Sequence, residues 1–304
     1  MSKICLIGTE GAGKTVFLTV LAHRYQNSFA NGVWLEYQNP RTAKFVSTNW
    51  DTLTVKRDWP PSTPTGTFGA LKWVFHTPDG ASHPLSVIDS PGQDIRAIFT
   101  ADEDEFLDEN LSALKQELES ADVVLFLLNL QEAIRATTAM ELDACQVPVV
   151  SFLQWAQAKR KRFALLLSQS DQIMDWLKVQ GISGNFVQNA LERCLPMVHA
   201  ILFRNEINLD FCITFVAAVA ETEYAAGSKL SLRPKANFSS RGLEKVVECI
   251  FPNIFPNIPE KEEQEGVTPK KEEQDGLTRR DVIISIIILC ISLFITGIII
   301  ISNS

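Results

Sequence analysis

A glycine-rich segment near the beginning of the chain has the residue types and spacing that hold a phosphate. It reads Gly-Thr-Glu-Gly-Ala-Gly-Lys-Thr over residues 8–15, which fits G-x-x-x-x-G-K-T, and it follows the apolar run Ile4–Ile7. In such a strand, loop and helix, backbone N–H groups converge on the β-phosphate and the lysine balances β/γ-phosphate charge. We therefore predict a nucleoside triphosphate site, with Thr15 as a Mg²⁺ ligand. Its residues are Gly8, Glu10, Gly11, Ala12, Gly13, Lys14, Thr15 and Val16.

A second polar motif, Asp-Ser-Pro-Gly-Gln over residues 89–93, follows the apolar pair Val87-Ile88. A carboxylate at a strand end beside a phosphate loop can hold Mg²⁺ through water, and a following glycine N–H can sense the γ-phosphate. We expect Asp89 to act near the metal, Gly92 to contact the γ-phosphate and Gln93 to orient the attacking water. The alternative for Gln93 is an exposed glutamine at the start of a helix.

A third motif, Ser-Gln-Ser-Asp over residues 168–171, follows the apolar run Phe163–Leu167. GTPases carry Asn/Thr-Lys-x-Asp at this place, where the aspartate accepts hydrogen bonds from guanine N1–H and N2–H₂. Adenine cannot donate that pair, so Asp171 would select guanine. In this chain Gln169 stands where GTPases have the lysine, and Ser168 stands where they have asparagine or threonine. The alternative is that Asp171 is the N-cap of a helix over residues 173–178.

A long segment lies between the first helix and the next strand. It contains a region, Arg41–Asp58, that we predict to be an extra helix, and it ends in Trp-Pro-Pro-Ser-Thr-Pro-Thr-Gly-Thr over residues 59–67. A nucleotide switch needs a threonine here whose hydroxyl binds Mg²⁺ and whose N–H meets the γ-phosphate. Thr63, Thr65 and Thr67 all qualify by position, and each could equally be a turn residue.

Apolar runs and helical periodicities alternate along residues 1–250, which predicts an α/β domain with buried parallel strands. A Thr-Pro-Asp-Gly turn over residues 77–80 predicts one hairpin. We therefore expect a Ras-like, doubly wound, mostly parallel six-stranded sheet with one antiparallel edge strand. The predicted strands are 4–7, 67–75, 83–88, 123–128, 163–167 and 211–219, and the predicted helices are 14–26, 102–120, 132–160, 184–205 and 240–250.

Together these motifs resemble the TRAFAC class of P-loop GTPases, and within it the prokaryotic double-GTPase group, over about residues 1–250. The matching segments are the Gly-Ala-Gly-Lys-Thr loop, Trp-Pro-Pro-Ser-Thr and Asp-Ser-Pro-Gly-Gln. The resemblance implies GTP and GDP as ligands with Mg²⁺, and a regulatory or conflict-related bacterial switch. It also implies that Thr63 is the switch threonine that binds Mg²⁺, that Asp89 holds the metal through water and that Gln93 orients water.

The composition limits the partners and the redox state. With 28 Lys and Arg against 36 Asp and Glu, the formal net charge is −8, which argues against a nucleic-acid-binding surface. The six cysteines stand singly in apolar segments. We therefore expect them to be small core residues in a reducing compartment and not disulfides or metal ligands.

The C-terminal part of the sequence differs from the rest. Residues 251–281 carry two short duplications and many charges, which is typical of a flexible linker. Residues 282–301 are twenty uncharged, mostly aliphatic residues preceded by Arg279-Arg280. They are long enough to cross a bilayer as a helix, and the arginines favour a cytoplasmic N-terminal domain. We predict a single-pass tail anchor in the lipid bilayer; the alternative is a buried C-terminal helix.

Three functions are consistent with these features. The first is a membrane-tethered GTPase switch in which Lys14, Thr63 and Gln93 contribute to hydrolysis and a protein effector or activator binds the switches. The second is a nucleotide-gated membrane scaffold with little turnover. The third is a P-loop ATPase or kinase, in which Asp171 is only a helix cap. The sequence does not determine the oligomeric state.

Overall fold

A computed structural model describes residues 3–27, 32–62, 69–89, 98–99, 109–181, 185–203, 211–225 and 232–251. A parallel sheet lies at the centre, with the strand order β1-β5-β6-β7. Its register aligns Leu6, Leu125, Ala164 and Cys212 across the four strands. The strands are β1 (Ile4–Gly8), β5 (Val123–Asn129), β6 (Arg162–Ser168) and β7 (Phe211–Phe215).

A second, antiparallel sheet has the order β2-β3-β4. Its strands are β2 (Trp34–Tyr37), β3 (Gly69–His76) and β4 (Ser82–Asp89). The predicted hairpin is confirmed: the Thr77 N–H donates to the Ala81 carbonyl at 3.0 Å, and the Gly80 N–H donates to the Thr77 carbonyl at 2.9 Å. The β4 strand lies alongside β1, the strand that leads into the phosphate loop.

The expected single six-stranded sheet with one antiparallel edge strand is wrong in detail. The described strands pair as a four-stranded parallel sheet and a separate three-stranded antiparallel sheet. The division lies between β4 and β1, which are neighbours without ladder pairing. The antiparallel sheet also contains an unexpected four-residue strand, β2, which pairs with β3 from Trp34 opposite His76 to Tyr37 opposite Trp73. A strand this short shows too little alternation in the sequence to be recognised, and its partner alone stabilises it.

The helices lie between the strands in sequence. They are α1 (Lys14–Asn27), α2 (Pro40–Asp51), α3 (Glu109–Ser120), α4 (Gln131–Arg135), α5 (Ala139–Ala158), α6 (Ser170–Val179), α7 (Phe186–Cys194), α8 (Pro196–Phe203) and α9 (Leu243–Ile250). The predicted extra helix after residue 41 is confirmed as α2, which continues into a π-helical turn, Thr52–Lys56. A small antiparallel pair, β8 (Thr222–Tyr224) and β9 (Leu232–Pro234), lies between β7 and α9.

The long helix predicted over residues 132–160 is two helices, α4 and α5. A capping box starts α5: the Glu141 N–H donates to the Thr138 hydroxyl at 3.2 Å, and the Glu141 carboxylate accepts from the Thr138 N–H. The predicted helix over 184–205 is likewise divided, because α7 ends before Pro196 begins α8. Capping and proline therefore overrode an apolar periodicity that runs through both junctions.

Two hydrophobic cores cover the two faces of the parallel sheet, as a doubly wound fold requires. Alternate residues of each strand enter opposite cores because side chains alternate along a strand. Ile4, Leu6, Leu125 and Leu127 pack with α1 and α9. On the other face Ile7, Phe126 and Leu165, among others, pack with α3, α5, α6, α7 and α8. The buried sheet fixes the strand ends from which the functional loops extend.

The prediction that the cysteines form no disulfides is wrong for one pair. Cys212 on β7 and Cys249 on α9 are joined in a disulfide with an S–S distance of 1.97 Å. Their separation of 37 residues gives no sequence signal, because only the packing of α9 brings it to β7. Cys5 and Cys194 are buried free cysteines, and burial raises the pKa of the Cys5 thiol to about 12 and of the Cys194 thiol to about 11.

No helix within the described ranges combines the length and the apolar character needed to cross a membrane. The predicted span, residues 282–301, and most of the predicted linker, residues 252–281, lie outside those ranges.

Candidate functional site

The loop after β1 has a backbone that favours glycine at its key positions. Gly11 and Gly13 have φ angles of 66° and 78°, in the left-handed region. A Cβ atom on Gly8 would collide with the carbonyl oxygen of Leu127 on β5. The Thr9 N–H donates to that same carbonyl at 3.0 Å. The glycine spacing of the motif therefore encodes both the loop curvature and its close contact with β5.

Lys14 is folded back over this loop at the first residue of α1. Its ammonium group donates to the carbonyl oxygens of Gly8 and Thr9, each at 3.1 Å, and the residue is 7% exposed. The Phe17 N–H donates to the Gly13 carbonyl at 2.8 Å, so the helix starts directly from the loop. The positive end of the helix dipole and the lysine charge together favour a phosphate at this place.

The Ser168–Asp171 loop is tied to the phosphate loop by amide side chains. Gln169 has a left-handed backbone, with φ of 55°, and its Nε2 donates to the Gly11 carbonyl oxygen at 3.2 Å. Asn129, at the end of β5, donates through Nδ2 to the same oxygen at 3.4 Å. Gln169 thus contacts the phosphate loop, and it stands at the position where GTPases carry the lysine of Asn/Thr-Lys-x-Asp.

Asp171 lies in the first turn of α6, and Gln169 occupies the N-cap position. The interpretation of Asp171 as the N-cap is therefore wrong. Burial raises the pKa of Asp171, although its own N–H and that of Gln172 partly offset the shift. The Ser170 N–H donates to the Val216 carbonyl oxygen at 3.3 Å, which brings the turn after β7 beside this loop.

A single cavity of about 700 Å³ joins these parts. Its volume lies in the range of small-molecule sites. The Lys14 end supplies cationic and N–H groups, while the Asp171 end supplies a carboxylate beside the backbone of the turn after β7. The lining residues include 10–17, Trp59–Ser62, Leu127, Arg135, Ser168, Gln169, Asp171, Gln172, 216–219, Thr222 and Leu232.

The residues at the Lys14 end are compatible with Mg²⁺. Thr15 lines the cavity one residue after Lys14, and a hydroxyl oxygen is a suitable magnesium ligand. Asp89 is the last residue of β4, the strand that lies beside β1. In the part of the chain that the structure describes, no three His, Cys, Asp or Glu side chains converge as metal ligands.

Several predicted site residues lie outside the described residues. They are Thr63, Thr65, Thr67, Gly92 and Gln93. Asp89 is described by its backbone, and Ser62, which directly precedes Thr63, lines the cavity. The functions assigned to these residues therefore stay predictions.

Other residues at the site were not expected from the sequence. Asn129 does not line the cavity but contacts the phosphate loop through the Gly11 carbonyl oxygen. It could have been found, because it is a polar residue at the carboxyl end of a buried parallel strand, where ligands bind in open α/β sheets. Arg135 adds a second cation to the lining residues. Trp59 and Leu232 meet across the wall of the cavity, where Trp59 Nε1 donates to the Leu232 carbonyl oxygen at 2.8 Å. No local pattern links residues this far apart.

Three solved structures are similar to this chain. The signal recognition particle receptor SRb-GTP/SRX complex from Chaetomium thermophilum is 15% identical with a TM-score of 0.38, over 73% of this chain and 92% of that chain. Era in complex with MgGDPNP and 16S ribosomal RNA is 14% identical with a TM-score of 0.41, over 85% and 58%. The bacterial selenocysteine-specific elongation factor EF-Sec is 14% identical with a TM-score of 0.31, over 72% and 26%.

No family model and no curated protein sequence matches the chain. Because the three TM-scores all lie below 0.5, the functional assignment rests on the chain's own residues.

Proposed function

We propose that this protein binds GTP with Mg²⁺, hydrolyses it to GDP, and acts as a switch on the cytosolic face of a membrane. The observation that supports this most strongly is the shared cavity, with Lys14 and Thr15 at one end and Asp171 at the other. A nucleotide has the same polarity, because it carries its phosphates and its base at opposite ends. The hydrogen bond from Gln169 Nε2 to the Gly11 carbonyl oxygen connects the loop at the base end to the phosphate loop.

The phosphate end would stabilise the charge that develops on the γ-phosphoryl group. Lys14 is well placed for this, because its ammonium is held at the helix start by two carbonyl oxygens. Mg²⁺ held by Thr15, with Asp89 acting through water and Thr63 as a further ligand, would neutralise β- and γ-oxygens. Gln93 would orient the attacking water, and the N–H groups of Thr63 and Gly92 would contact the γ-phosphate.

The base end would select guanine. An ionised Asp171 accepts hydrogen bonds and cannot donate, which matches the two donors on the Watson–Crick edge of guanine. Its partial burial makes an unpaired carboxylate costly, so a base without those donors is disfavoured. The backbone of Val216–Val219 lines the same end of the cavity and would contact the purine ring.

Membrane tethering through residues 282–301 and binding of a protein effector complete the proposal. The apolar run and the preceding arginines support the tether. The segment that leads into the predicted switch lines the cavity up to Ser62, so nucleotide state could be transmitted to a partner there.

Competition between GTP and ATP for a fluorescent guanine nucleotide tests the proposal directly. With the full-length chain in detergent and Mg²⁺, we expect GTP to displace the probe at a concentration at least about a hundredfold lower than ATP, a difference of about 2.7 kcal/mol. ATP that competes equally would contradict guanine recognition and would favour a general P-loop ATPase or kinase.

Replacing Gln93 with alanine separates a hydrolase from a scaffold. We expect single-turnover GTP hydrolysis to slow by about a hundredfold, because a misplaced water loses its aligned attack, while GTP affinity changes little. Gln157→Ala, at an exposed position of α5, is the control and should leave the rate unchanged. An unchanged rate in Gln93→Ala would contradict the water-orienting role and would favour a nucleotide-gated scaffold with little turnover.

A further inference from the structure

Two side chains attach the segment after α2 to a hairpin that is distant in sequence. Arg57 donates to the Glu223 carboxylate on β8 and, through Nε, to the Pro234 carbonyl oxygen at 3.5 Å. Trp59 donates through Nε1 to the Leu232 carbonyl oxygen on β9 at 2.8 Å. The segment therefore contacts both strands of the β8–β9 hairpin. The Arg57–Glu223 contact joins residues 166 positions apart in the chain.

The hairpin is held in place by contacts that do not involve this segment. Arg233 lies opposite Glu223 and donates to its carboxylate at 2.9 Å. At the base of the hairpin, the Lys235 N–H donates to the Glu221 carbonyl oxygen, and the Glu221 carboxylate accepts from the Ser239 hydroxyl at 2.7 Å. The hydrogen bond from Arg233 is the main reason that the pKa of Glu223 is lowered. Glu223 is therefore a fixed, charged acceptor at neutral pH.

The segment and the hairpin form adjoining parts of the cavity wall. Trp59, Pro60, Pro61 and Ser62 line the cavity from the segment, and Thr222 and Leu232 line it from the hairpin. Trp59 is 37% exposed and retains surface that a ligand can cover. Its indole is fixed at one edge by the bond to the Leu232 carbonyl oxygen, so its orientation depends on the hairpin.

We infer that the β8–β9 hairpin positions the Trp59–Ser62 wall of the proposed nucleotide site, with Glu223 as a positioning residue that acts through Arg57. The inference rests on the proposed function, because the wall matters only if a nucleotide occupies the cavity. A nucleotide enclosed by this wall leaves slowly while the segment is docked on the hairpin. Residue 63, the predicted switch threonine, follows the wall directly in sequence.

A role in stability alone predicts a different result. The side chains of Arg57, Glu223 and Arg233 are partly exposed, at 27%, 37% and 29%, and partly exposed ion pairs contribute little to the free energy of unfolding. Loss of either pair should therefore change the unfolding temperature only slightly. Loss of docking should change nucleotide release, and only when the substitution breaks the contact between the segment and the hairpin.

The experiment measures the dissociation rate of a fluorescent guanine nucleotide from the full-length chain in detergent with Mg²⁺. We expect Arg57→Ala and Glu223→Gln to accelerate dissociation about fivefold, the upper end of what the loss of a partly exposed ion pair implies. Arg233→Ala is the matched control, because it removes a cation from the same carboxylate but leaves the bond from Arg57. It should change the rate less than about twofold. Trp59→Phe, which keeps a ring but removes the N–H donor, should also accelerate release.

Equal rates in all variants and the wild type would overturn the inference, and so would an equal acceleration in Arg57→Ala and Arg233→Ala. Failure of the proposed function is recognised separately, because the wild-type chain would then not retain the guanine nucleotide selectively over ATP. Acrylamide quenching of Trp59, taken as the difference from Trp59→Phe, still tests the docking in that case. Quenching that rises in Arg57→Ala but not in Arg233→Ala supports the contact, and equal quenching overturns it.

Discussion

The substitution Asp171→Asn is expected to exchange the preferred base from guanine to xanthine. In a competition assay on the full-length chain, GTP affinity should fall at least about a hundredfold, and XTP should become the stronger competitor by a similar factor. This is the largest change that we expect from a single conservative substitution in the chain. It removes one charge and alters the side-chain volume very little.

The physical reason is hydrogen-bond complementarity. Guanine presents two donors, N1–H and N2–H₂, to the two acceptor oxygens of an ionised Asp171. Asparagine presents one acceptor and one donor, and xanthine presents N1–H as a donor and its C2 carbonyl as an acceptor. Each mismatched pairing leaves a polar group unsatisfied in a partly buried site, which costs more than the bond itself contributes. The position of Asp171 on the cavity wall makes this contact possible.

Asp175→Asn is the matched control. Asp175 is exposed one turn later on the same helix, α6, and its substitution removes the same charge without reaching the cavity lining. We expect this variant to keep the wild-type preference for GTP. A similar loss of GTP affinity in both variants would mean that net charge, and not base recognition, explains the effect of Asp171→Asn.

Removal of residues 282–301 is expected to release the protein completely from membranes. These twenty uncharged, mostly aliphatic residues would span about 30 Å in a helix, the thickness of the hydrocarbon core of a bilayer. Burying so many aliphatic side chains in lipid is effectively irreversible. We therefore expect the full-length chain to remain in the membrane after alkaline carbonate extraction, and the deletion variant to be in the supernatant.

Replacement of residues 282–301 by twenty leucines is the control for this deletion. It keeps the length and the apolar character but removes the specific side chains, so it should restore membrane association. Nucleotide affinity of the deletion variant should match that of the full-length chain, because every described residue of the cavity lies before residue 252. Persistent membrane association of the deletion variant would contradict the anchor and would point to a membrane contact within residues 1–281.

The phosphate loop could be predicted from the sequence because its requirements are local. Gly11 and Gly13 have left-handed backbones and Gly8 meets the β5 backbone, so the glycine spacing reports the conformation directly. The parallel strands could be predicted for a similar reason, since strands buried on both faces are continuous apolar runs such as Leu125–Leu128. Because Asp171 follows the apolar run of β6 closely in sequence, it could also be predicted to lie at the ligand edge of the sheet.

The division of the helices and the pairing of the strands could be predicted only in part. The capping box of Thr138 and Glu141 is visible in the sequence, but an apolar periodicity runs across it and favours one long helix. The strand β2 has four residues, and its existence depends on β3 being beside it. Where a local signal is weak, the packing of neighbouring elements decides the outcome.

The sequence by itself determined the phosphate loop, the alternating α/β order and an apolar segment long enough to span a bilayer, because each is set by residues near one another in the chain. Only the tertiary structure decided that Gln169 holds the phosphate loop, that Cys212 meets Cys249 and that Arg57 reaches Glu223. These contacts join residues that are far apart in sequence. Their formation depends on which faces of the elements pack together, and no short-range spacing encodes that choice.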